Sequence, residues 1–413
     1  MWDKDTTNST FFQLFQPVFS ARQQLKQLGV DKYVKKLTVI KFIVLVAYAQ
    51  LNQHRGLRDI SNSCNNDDFS QAIKLTSISA AQLSRRLRSL VPQATQALFR
   101  NIVYQVGKAV GFNAIRQELG RLYLIDATTV SLCLSQYPWA EFRKTKGGVK
   151  LHLRLRFYDQ GVLPDKAVIT PARPADKTQM DALVVTVKDA LNVFDRGYTD
   201  YEKFDQYCED GIRFITRLKS NAQKEVVKEL PVDPEGDIDK EQIVYLGTKG
   251  INRMKHPLRL VETKDSEGNP ITIVTNDFEL PAAEISAIYR NRWQIELFFK
   301  WLKQHFCIKH FYGLSQRAVE NQLYIALITY CLLMLLKLKT GYQGPLLTIK
   351  RMLHTCLYEP LTSFVRKLHQ KFRRSSKGRR RIDHEAIFQE TLRQVMQGEA
   401  DHLDDLTYDP VIL

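Results

Sequence analysis

The stretch Lys150-Leu-His-Leu-Arg-Leu-Arg-Phe157 alternates polar and apolar residues with a period of two. Because successive side chains of a β-strand point to opposite faces of its sheet, this period is typical of a strand with one buried face. Upstream, Leu122-Tyr-Leu-Ile-Asp126 is a short apolar run that ends in a carboxylate, and downstream Ala167-Val-Ile-Thr170 indicates another strand. These three stretches predict the beginning of one sheet.

The next segment alternates helices with strands. A helix is expected over about 177–190, and the apolar run Asn192-Val-Phe-Asp195 then ends in a second aspartate before a turn at Arg196-Gly197. A helix over about 200–209 leads into the strand Ile212–Leu218. Three strands followed by a helix, a strand, a helix and a strand describe an α/β sheet of mixed direction.

Residues up to about 115 predict a helical domain. The apolar stretch Leu37–Tyr48 is expected to form a largely buried helix, and Ser79 is expected to cap a helix with leucines on one side and arginines elsewhere. The leucines are Leu83, Leu87 and Leu90, and the arginines are Arg85, Arg86 and Arg88. An Arg-rich second helix suits a helix-turn-helix-like DNA-binding module, and an ordinary solvated helix face explains it equally well.

The rest of the chain divides by composition and pattern. Short strands interleaved with Gly, Pro and charges predict a β-rich insertion, and a long helix is expected over about 282–305. Between Lys371 and Arg381, seven of eleven residues are basic, which is typical of a solvated or disordered arm that touches phosphate. The predicted domains are 1–115 (helical, DNA-binding), 116–219 and 281–345 (two parts of the core), 220–280 (insertion) and 346–413 (basic, helical).

The charge of the whole chain favours a polyanionic partner. Sixty Lys and Arg against 44 Asp and Glu give a formal net charge of +16, and nucleic acid is the commonest such partner, with a merely basic soluble protein as the alternative. The six cysteines form no CxxC pair, which argues against a zinc ribbon or a disulfide framework and fits a reducing cytoplasm. The polar N-terminus is unlike a signal peptide, and the apolar run Leu323–Leu336 is too short to span a bilayer, so a buried core helix and no membrane partner are expected.

Two aspartates end apolar runs of the predicted sheet. An acid in such a place is either a simple strand terminator or a metal ligand, and a lone one is more often a terminator. Asp126 and Asp195 lie on strands that are predicted to belong to one sheet. The pair therefore favours a shared site.

The predicted helix around residue 296 carries an unusual polar stripe. At ~100° per residue, Tyr289, Arg292, Glu296 and Lys303 fall within roughly 60° of arc, while apolar residues such as Phe298 cover much of the rest. An ion pair between Arg292 and Glu296, four residues apart, explains two of these residues. This ion pair does not explain why Tyr289 and Lys303 lie on the same side of the helix.

Phosphodiester chemistry requires such a collection of groups. Hydrolysis of a DNA phosphodiester, followed by attack of the freed 3′-hydroxyl on another, uses two divalent cations ~3.5–4 Å apart. Hard cations such as Mg²⁺ take oxygen ligands, which carboxylates from three separate elements supply while leaving coordination positions open. A flanking Arg, Lys and Tyr would neutralise and orient the DNA backbone.

The spacing Tyr289-x2-Arg292-x3-Glu296-x6-Lys303 matches the YREK signature of the insertion-sequence-four family of bacterial DDE transposases. The surrounding residues from Thr275-Asn-Asp onward resemble that family's C-terminal motif. Leu124-Ile-Asp126-Ala-Thr-Thr resembles its first-aspartate region, and Val193-Phe-Asp195-Arg-Gly-Tyr resembles its second. The resemblance covers roughly residues 120–340.

This resemblance implies an RNase H-like catalytic core with a β-rich insertion, in an enzyme that cuts and pastes DNA at inverted-repeat ends as a homodimer with Mg²⁺ or Mn²⁺. It implies that Asp126, Asp195 and Glu296 are catalytic metal ligands, and that the transposon-end phosphates contact Tyr289, Arg292 and Lys303. A bacterial cytoplasmic location is expected. The alternatives are a related nuclease that cleaves but no longer inserts, and a catalytically silent DNA-binding descendant, against which the complete triad speaks.

Several residues support weaker expectations. Lys150 and His152, alternate residues of one strand, either face the site or occupy plain surface positions, and the surface is favoured. Arg196, beside Asp195, either reaches DNA or is an ordinary surface residue, and Trp293 and Trp301 are expected to pack rather than stack on bases. Some relatives stack a flipped base on a Trp of the insertion during hairpin formation. The chain has no Trp in 220–280, which leaves Tyr245 or Phe278 as substitutes and the hairpin step open.

Overall fold

The N-terminal region is helical, as predicted. The computed structural model describes residues 9–110, 121–158, 161–234, 236–264, 268–370 and 384–397. The first of these ranges folds into α1 (Thr10–Ser20), α2 (Arg22–Gln27), α3 (Val39–Leu51), α4 (Leu57–Asn62), α5 (Asp67–Ile73), α6 (Ala80–Ser89) and α7 (Pro92–Val110). Ser79 caps α6 in a reciprocal box with Gln82. The three leucines predicted to share one side of this helix are all buried.

A mixed sheet follows these helices. Its first six strands are β1 (Arg121–Leu132), β2 (Glu141–Arg143), β3 (Lys146–Tyr158), β4 (Gly161–Pro171), β5 (Ala190–Phe194) and β6 (Arg213–Arg217). Strand β3 pairs antiparallel with β1 and β4, while β5 pairs parallel with both β1 and β6. The predicted mixed direction is confirmed.

The insertion is β-rich, and its strands extend the same sheet rather than forming another. They are β7 (Lys224–Leu230), β8 (Ile238–Leu246), β9 (Leu258–Lys264) and β10 (Pro270–Thr275). Strand β10 pairs antiparallel with β6, and β9, β8 and β7 follow outward. Through these pairings the insertion is hydrogen-bonded to the strand beside β5.

The helix predicted over 177–190 is wrong in extent. The structure has a 3₁₀ turn at Asp176–Gln179 and the single turn α8 (Met180–Leu183). The sequence Val184-Val-Thr-Val187 that follows is β-branched and costs a helix side-chain freedom. Asn192 also holds this segment in a non-helical path, because its side chain accepts from the backbone N–H of Val185 (2.8 Å) and donates to its carbonyl (3.0 Å). The next predicted helix forms as α9 (Tyr201–Asp210).

The long helix predicted over 282–305 is two helices, α10 (Ala282–Arg290) and α11 (Trp293–His305). At the junction the N–H of Arg292 donates to the carbonyl of Tyr289 (3.0 Å), and the N–H of Ile295 donates to that of Arg292 (3.1 Å). These bonds span three residues instead of four, which tightens the turn. Arg292 therefore lies at a break rather than inside a regular helix.

The apolar run near residue 330 is a core helix, as predicted. The C-terminal helices are α12 (Gln316–Thr340), α13 (Leu346–Cys356), α14 (Leu361–Leu368) and α15 (His384–Met396). Helix α12 is long and apolar enough to cross a membrane by length and composition, but 83% of its most apolar window is buried in the fold. Its buried Asn321 accepts from the hydroxyl of Thr95 (2.8 Å), and its Tyr324 donates to the carbonyl of Ala167 on β4 (3.1 Å). The N-terminal helices, α12 and one sheet face thus share a continuous apolar core.

The other sheet face has a smaller core of its own. In this core the ring of Phe214 stacks against Phe194 of β5 and against Phe204 of α9. The basic run from Lys371 to Arg381 lies outside the described residues.

Candidate active site

The two aspartates stand side by side on parallel strands. The last paired residues of β1 and β5 are Ile125 and Phe194, so Asp126 and Asp195 are the next residues of neighbouring strands. Asp126 does not end its strand, because β1 continues against β3 as far as Leu132. Asp195 does end its strand and begins a 3₁₀ turn at Arg196–Tyr198.

Glu296 is linked to this pair by Arg292. One guanidinium nitrogen of Arg292 lies 3.3 Å from Oδ2 of Asp126, and the other lies 2.6 Å from Oε1 of Glu296. The Arg292–Glu296 ion pair weighed in the sequence therefore exists, and it reaches across to β1. Because α11 lies over β1, acids from two strands and one helix occupy one place in the fold.

The remaining two residues of the stripe flank this cluster. The guanidinium carbon of Arg292 lies 5.9 Å from the ring centre of Tyr289, which is buried. Two turns along α11 from Glu296, Nζ of Lys303 approaches the carbonyl of Thr129 on β1 at 3.5 Å. The stripe thus runs along β1 beside the acids.

The cluster carries more negative than positive charge. Burial raises the pKa of Asp126 to about 7, with the charges of Glu296 and Asp195 acting in the same direction and Arg292 against it. Burial lowers the pKa of Arg292, but Glu296 and Asp126 together raise it above its ordinary value. Burial also raises the pKa of Tyr289 to about 12. A further cation beside the acids would relieve their repulsion.

The donor set fits a hard divalent cation, since all three acids offer oxygen ligands. Among the residues that the structure describes, no three acidic, His or Cys groups enclose a common point closely enough to hold an ion. The guanidinium of Arg292 lies between Asp126 and Glu296 and fills the space between these two acids. The residues that would hold a metal are therefore Asp126, Asp195 and Glu296.

Comparison with known protein families identifies the family of the chain. Residues 118–332, more than half of the chain, match the family described as "Transposase DDE domain". The chain belongs to this family of DDE transposases. Its identification as an insertion-sequence-type DDE transposase is thereby confirmed. The mixed sheet of its core agrees with the predicted α/β fold class. Residues 6–78 match a "Domain of unknown function (DUF4372)".

The transposase also resembles curated bacterial proteins. A protein of Sinorhizobium fredii named as transposase y4zB is 34% identical over 252 residues, which are 59% of this chain and 68% of that protein. A protein of Geobacillus stearothermophilus named as a transposase for insertion sequence element IS5377 is 32% identical over 51% of this chain and 55% of its own length. A Synechocystis protein named for element IS4SA is 25% identical over 58% of this chain and 67% of that one.

Among solved structures, the cryo-EM structure of a piggyBac transposase synaptic complex with hairpin DNA aligns over 94% of this chain and 89% of that one, with a TM-score of 0.45 and 10% identity. A likeness of this degree carries no argument about fold or function.

The arginines of the transposase's N-terminal helices have different environments. Arg85 and Arg88 of α6 are exposed, as is Arg196 beside Asp195. Arg86 is buried, pairs with Asp31 at 2.5 Å and donates to the carbonyl of Val30 at 3.1 Å. The structure therefore does not support a DNA contact by Arg86, whose charge is committed inside the fold.

The expectation that Lys150 and His152 are surface residues is wrong. Nζ of Lys150 lies 2.8 Å from Oδ1 of Asp176, and Nδ1 of His152 lies 3.8 Å from the same oxygen. The side chain of His152 is 1% exposed, and burial lowers its pKa to about 4. Asp176 was missed because it follows a Pro-rich turn with no periodic pattern. The available signal was that two basic residues, Lys150 and His152, share one face of β3, where a buried charge requires an acidic partner.

Of the aromatic residues considered in the sequence, some are buried in the core and others are exposed. Trp301 is buried against Phe306 and Tyr330, which confirms its packing role. In the insertion, the guanidinium carbon of Arg253 lies 4.0 Å from the ring centre of Tyr245, and Phe278 is 49% exposed.

Proposed function

We propose that this transposase cuts DNA at the inverted-repeat ends of an insertion sequence and joins the freed ends to target DNA, in a cut-and-paste reaction that depends on divalent cations. The observation that carries the proposal is the meeting of Asp126, Asp195 and Glu296, from three separate elements, with Arg292 paired to two of them. Three partly buried acids in one place repel one another unless cations compensate their charge.

The three acids would hold Mg²⁺ or Mn²⁺. Bound in pairs, these cations activate the attacking oxygen and stabilise the leaving oxygen of a phosphodiester. Arg292 and Tyr289 are positioned to orient the acids and the DNA backbone, since the guanidinium contacts both Asp126 and Glu296. Lys303, farther along α11, would carry positive charge to the next part of the strand.

The DNA partner accords with the charge of the chain and with its exposed cations. A net charge of +16 favours phosphate binding, and Arg85, Arg88 and Arg196 are free of the burial that commits Arg86. An element has two inverted ends, so a homodimer would bring one active site to each of them. We place this reaction in the bacterial cytoplasm, where the element's DNA lies.

The test uses the DNA that flanks the gene. Duplexes carrying the flanking inverted repeats are incubated with the full chain, Mg²⁺ and a plasmid target, and cleaved and joined products are separated on gels. We expect both products, their loss on chelation with EDTA, and their loss in Glu296→Gln. The exposed acid Glu202 on α9 supplies the matched control, Glu202→Gln, which should behave as wild type.

Other outcomes identify the alternatives. Cleavage without joining would favour a nuclease that no longer inserts. Specific binding of the repeats with neither product, at any Mg²⁺ or Mn²⁺ concentration, would contradict the proposal and favour a DNA-binding descendant.

A further inference from the structure

Strand pairing does not fix the position of Asp195. The pairing of β5 with β1 ends at Phe194 and Ile125, and β1 continues alone along β3. The carbonyl of Asp195 accepts from the N–H of Tyr198 (3.0 Å) within the 3₁₀ turn Arg196–Tyr198. Where the second acid stands relative to Asp126 therefore depends on what holds this turn.

Asp176 lies beside that turn. A Cβ placed on Gly197 would lie 3.5 Å from Oδ2 of Asp176 and 3.9 Å from Oδ2 of Asp195, so both carboxylates border the same glycine. Two ion pairs continue the contact between the segments that contain these acids. They are Lys177–Asp200 at 3.0 Å and Lys203–Asp181 at 2.6 Å.

Asp176 is anchored in turn to β3, the neighbour of β1. Lys150 contacts its Oδ1 at 2.8 Å and also donates to the carbonyl of Pro174 at 3.0 Å. His152 approaches the same oxygen and bonds through Nε2 to the hydroxyl of Thr170 at 3.0 Å. On β1, the residues opposite Lys150 and His152 are Thr129 and Ala127.

A chain of contacts thus leads from one acid to the other by a second route. It starts at β1, crosses to Lys150 and His152 on β3, passes through Asp176 and reaches Asp195 at Gly197. Only 13% of the Lys150 side chain is exposed, so its charge needs the carboxylate of Asp176 to remain buried. The anchor is consequently rigid.

We infer that Asp176, held by Lys150 and His152, is a positioning residue that sets where Asp195 stands relative to Asp126 and so tunes the transposase's affinity for its divalent cation. The inference rests on the function proposed above. A purely structural role for Asp176, neutralising Lys150 and nothing more, is the competing explanation.

The test measures Mn²⁺ binding directly, from the electron paramagnetic resonance signal of free Mn²⁺, with the full chain and no DNA. Loss of a residue that orients a metal ligand weakens metal binding by about 10- to 100-fold, and we expect a loss in this range for Asp176→Asn. The matched control is Asp210→Asn, which removes an exposed acid at the end of α9 and should change the affinity less than about twofold. Mn²⁺-saturated Asp176→Asn should recover most of the cleavage rate.

An Asp176→Asn protein with wild-type Mn²⁺ affinity, even with a lowered melting temperature, would overturn the inference in favour of the structural role. If Asp176→Asn does not fold, Lys150→Met keeps the carboxylate and removes its anchor, and it should weaken Mn²⁺ binding in the same direction. An unchanged affinity in folded Lys150→Met would equally overturn it.

Asp195→Ala separates the two levels of the argument. Wild-type protein that binds Mn²⁺ no better than Asp195→Ala would contradict the proposed function and this inference together. Binding that needs Asp195 but ignores Asp176 would contradict the inference alone.

Discussion

Two partly buried charge clusters lie on opposite faces of the sheet. Asp126 of β1 is paired with Leu153 of β3, whereas His152 is paired with Ala127, the next residue of β1, and so points to the other face. On one face a single cation, Arg292, contacts two acids, with a third acid adjacent. On the other face a single acid, Asp176, contacts two bases. The first cluster has an excess of negative charge and favours an added cation, whereas the second contains its own compensation. Under the proposed function, similar residues would serve chemistry on one face and support on the other.

The largest contrast concerns catalysis. Replacing Asp126 or Asp195 by Asn should lower the rate of DNA cleavage by at least about 1,000-fold, because each acid would hold a cation that the reaction requires. Binding of the repeat duplex, followed by gel shift, should change little, since phosphate contacts come from other residues. Asp210→Asn, which removes an exposed acid at the end of α9, serves as the control of equal charge change. Cleavage at wild-type rate in either variant would show that the first cluster is not the active site.

Removing the cation of the first cluster tests its charge excess. Arg292→Met should lower the free energy of unfolding by about 2–3 kcal/mol, at the low end for a broken buried pair because Glu296 keeps 38% exposure and water screens its charge. Millimolar Mn²⁺ should restore much of this loss, as a bound ion replaces the guanidinium. Thermal unfolding with and without Mn²⁺ measures both effects, and equal melting temperatures in the two conditions would contradict the prediction.

The same measurement sharpens the comparison on the opposite face. Lys150→Met should lower the free energy of unfolding by about 2 kcal/mol, because it leaves the partly buried Asp176 without its main partner. The residual Mn²⁺ binding of this variant should recover less of its stability than Mn²⁺ recovers in Arg292→Met. Recovery to the wild-type value would mean that the two clusters do not differ as described.

The smallest effect is a pH dependence of stability that arises from His152. Burial holds the pKa of folded His152 at about 4, below the ordinary value of 6.5, so the unfolded chain binds this proton first as the pH falls. The contribution of a neutral His152 is therefore present above pH 6.5 and is lost toward pH 4. Between pH 6.5 and 5.5, the wild type should lose about 1 kcal/mol more than His152→Gln in urea unfolding. Parallel curves would refute a buried neutral imidazole.

Local patterns were enough to predict the strands and the polar stripe that bring the candidate acids together. The period of two in β3 and the apolar runs before Asp126 and Asp195 depend on neighbours in sequence, and the spacing from Tyr289 to Lys303 depends on helix geometry. These signals survive even though the helix breaks at Arg292, because the ring of Tyr289 before the break still lies 5.9 Å from the guanidinium carbon of Arg292. Nothing in the residues at this break, which include neither Gly nor Pro, predicted it.

Features that depend on distant partners could not be predicted. Asp176 meets Lys150 only because the chain folds back after β4, and Arg86 is buried only because Asp31 lies opposite it. In both cases the sequence shows a charged residue among ordinary polar neighbours. Tertiary packing decides whether that residue forms an ion pair inside the protein or stays exposed. The predicted length of the helix after Asp176 was wrong for the same reason, since the side chain of Asn192 on β5 holds the backbone of Val185 in a non-helical path.

The apolar core that joins the N-terminal helices to α12 and the sheet has an evolutionary consequence. Helices that bury Leu83, Leu87 and Leu90 against the catalytic half cannot be exchanged for another module without exposing that surface. If these helices recognise the ends of the element, new end sequences must arise by substitutions of exposed residues such as Arg85 and Arg88. An insertion sequence built on this fold would then diverge from its relatives gradually, by point mutation. It would not change its end sequences abruptly by acquiring a different DNA-recognition domain.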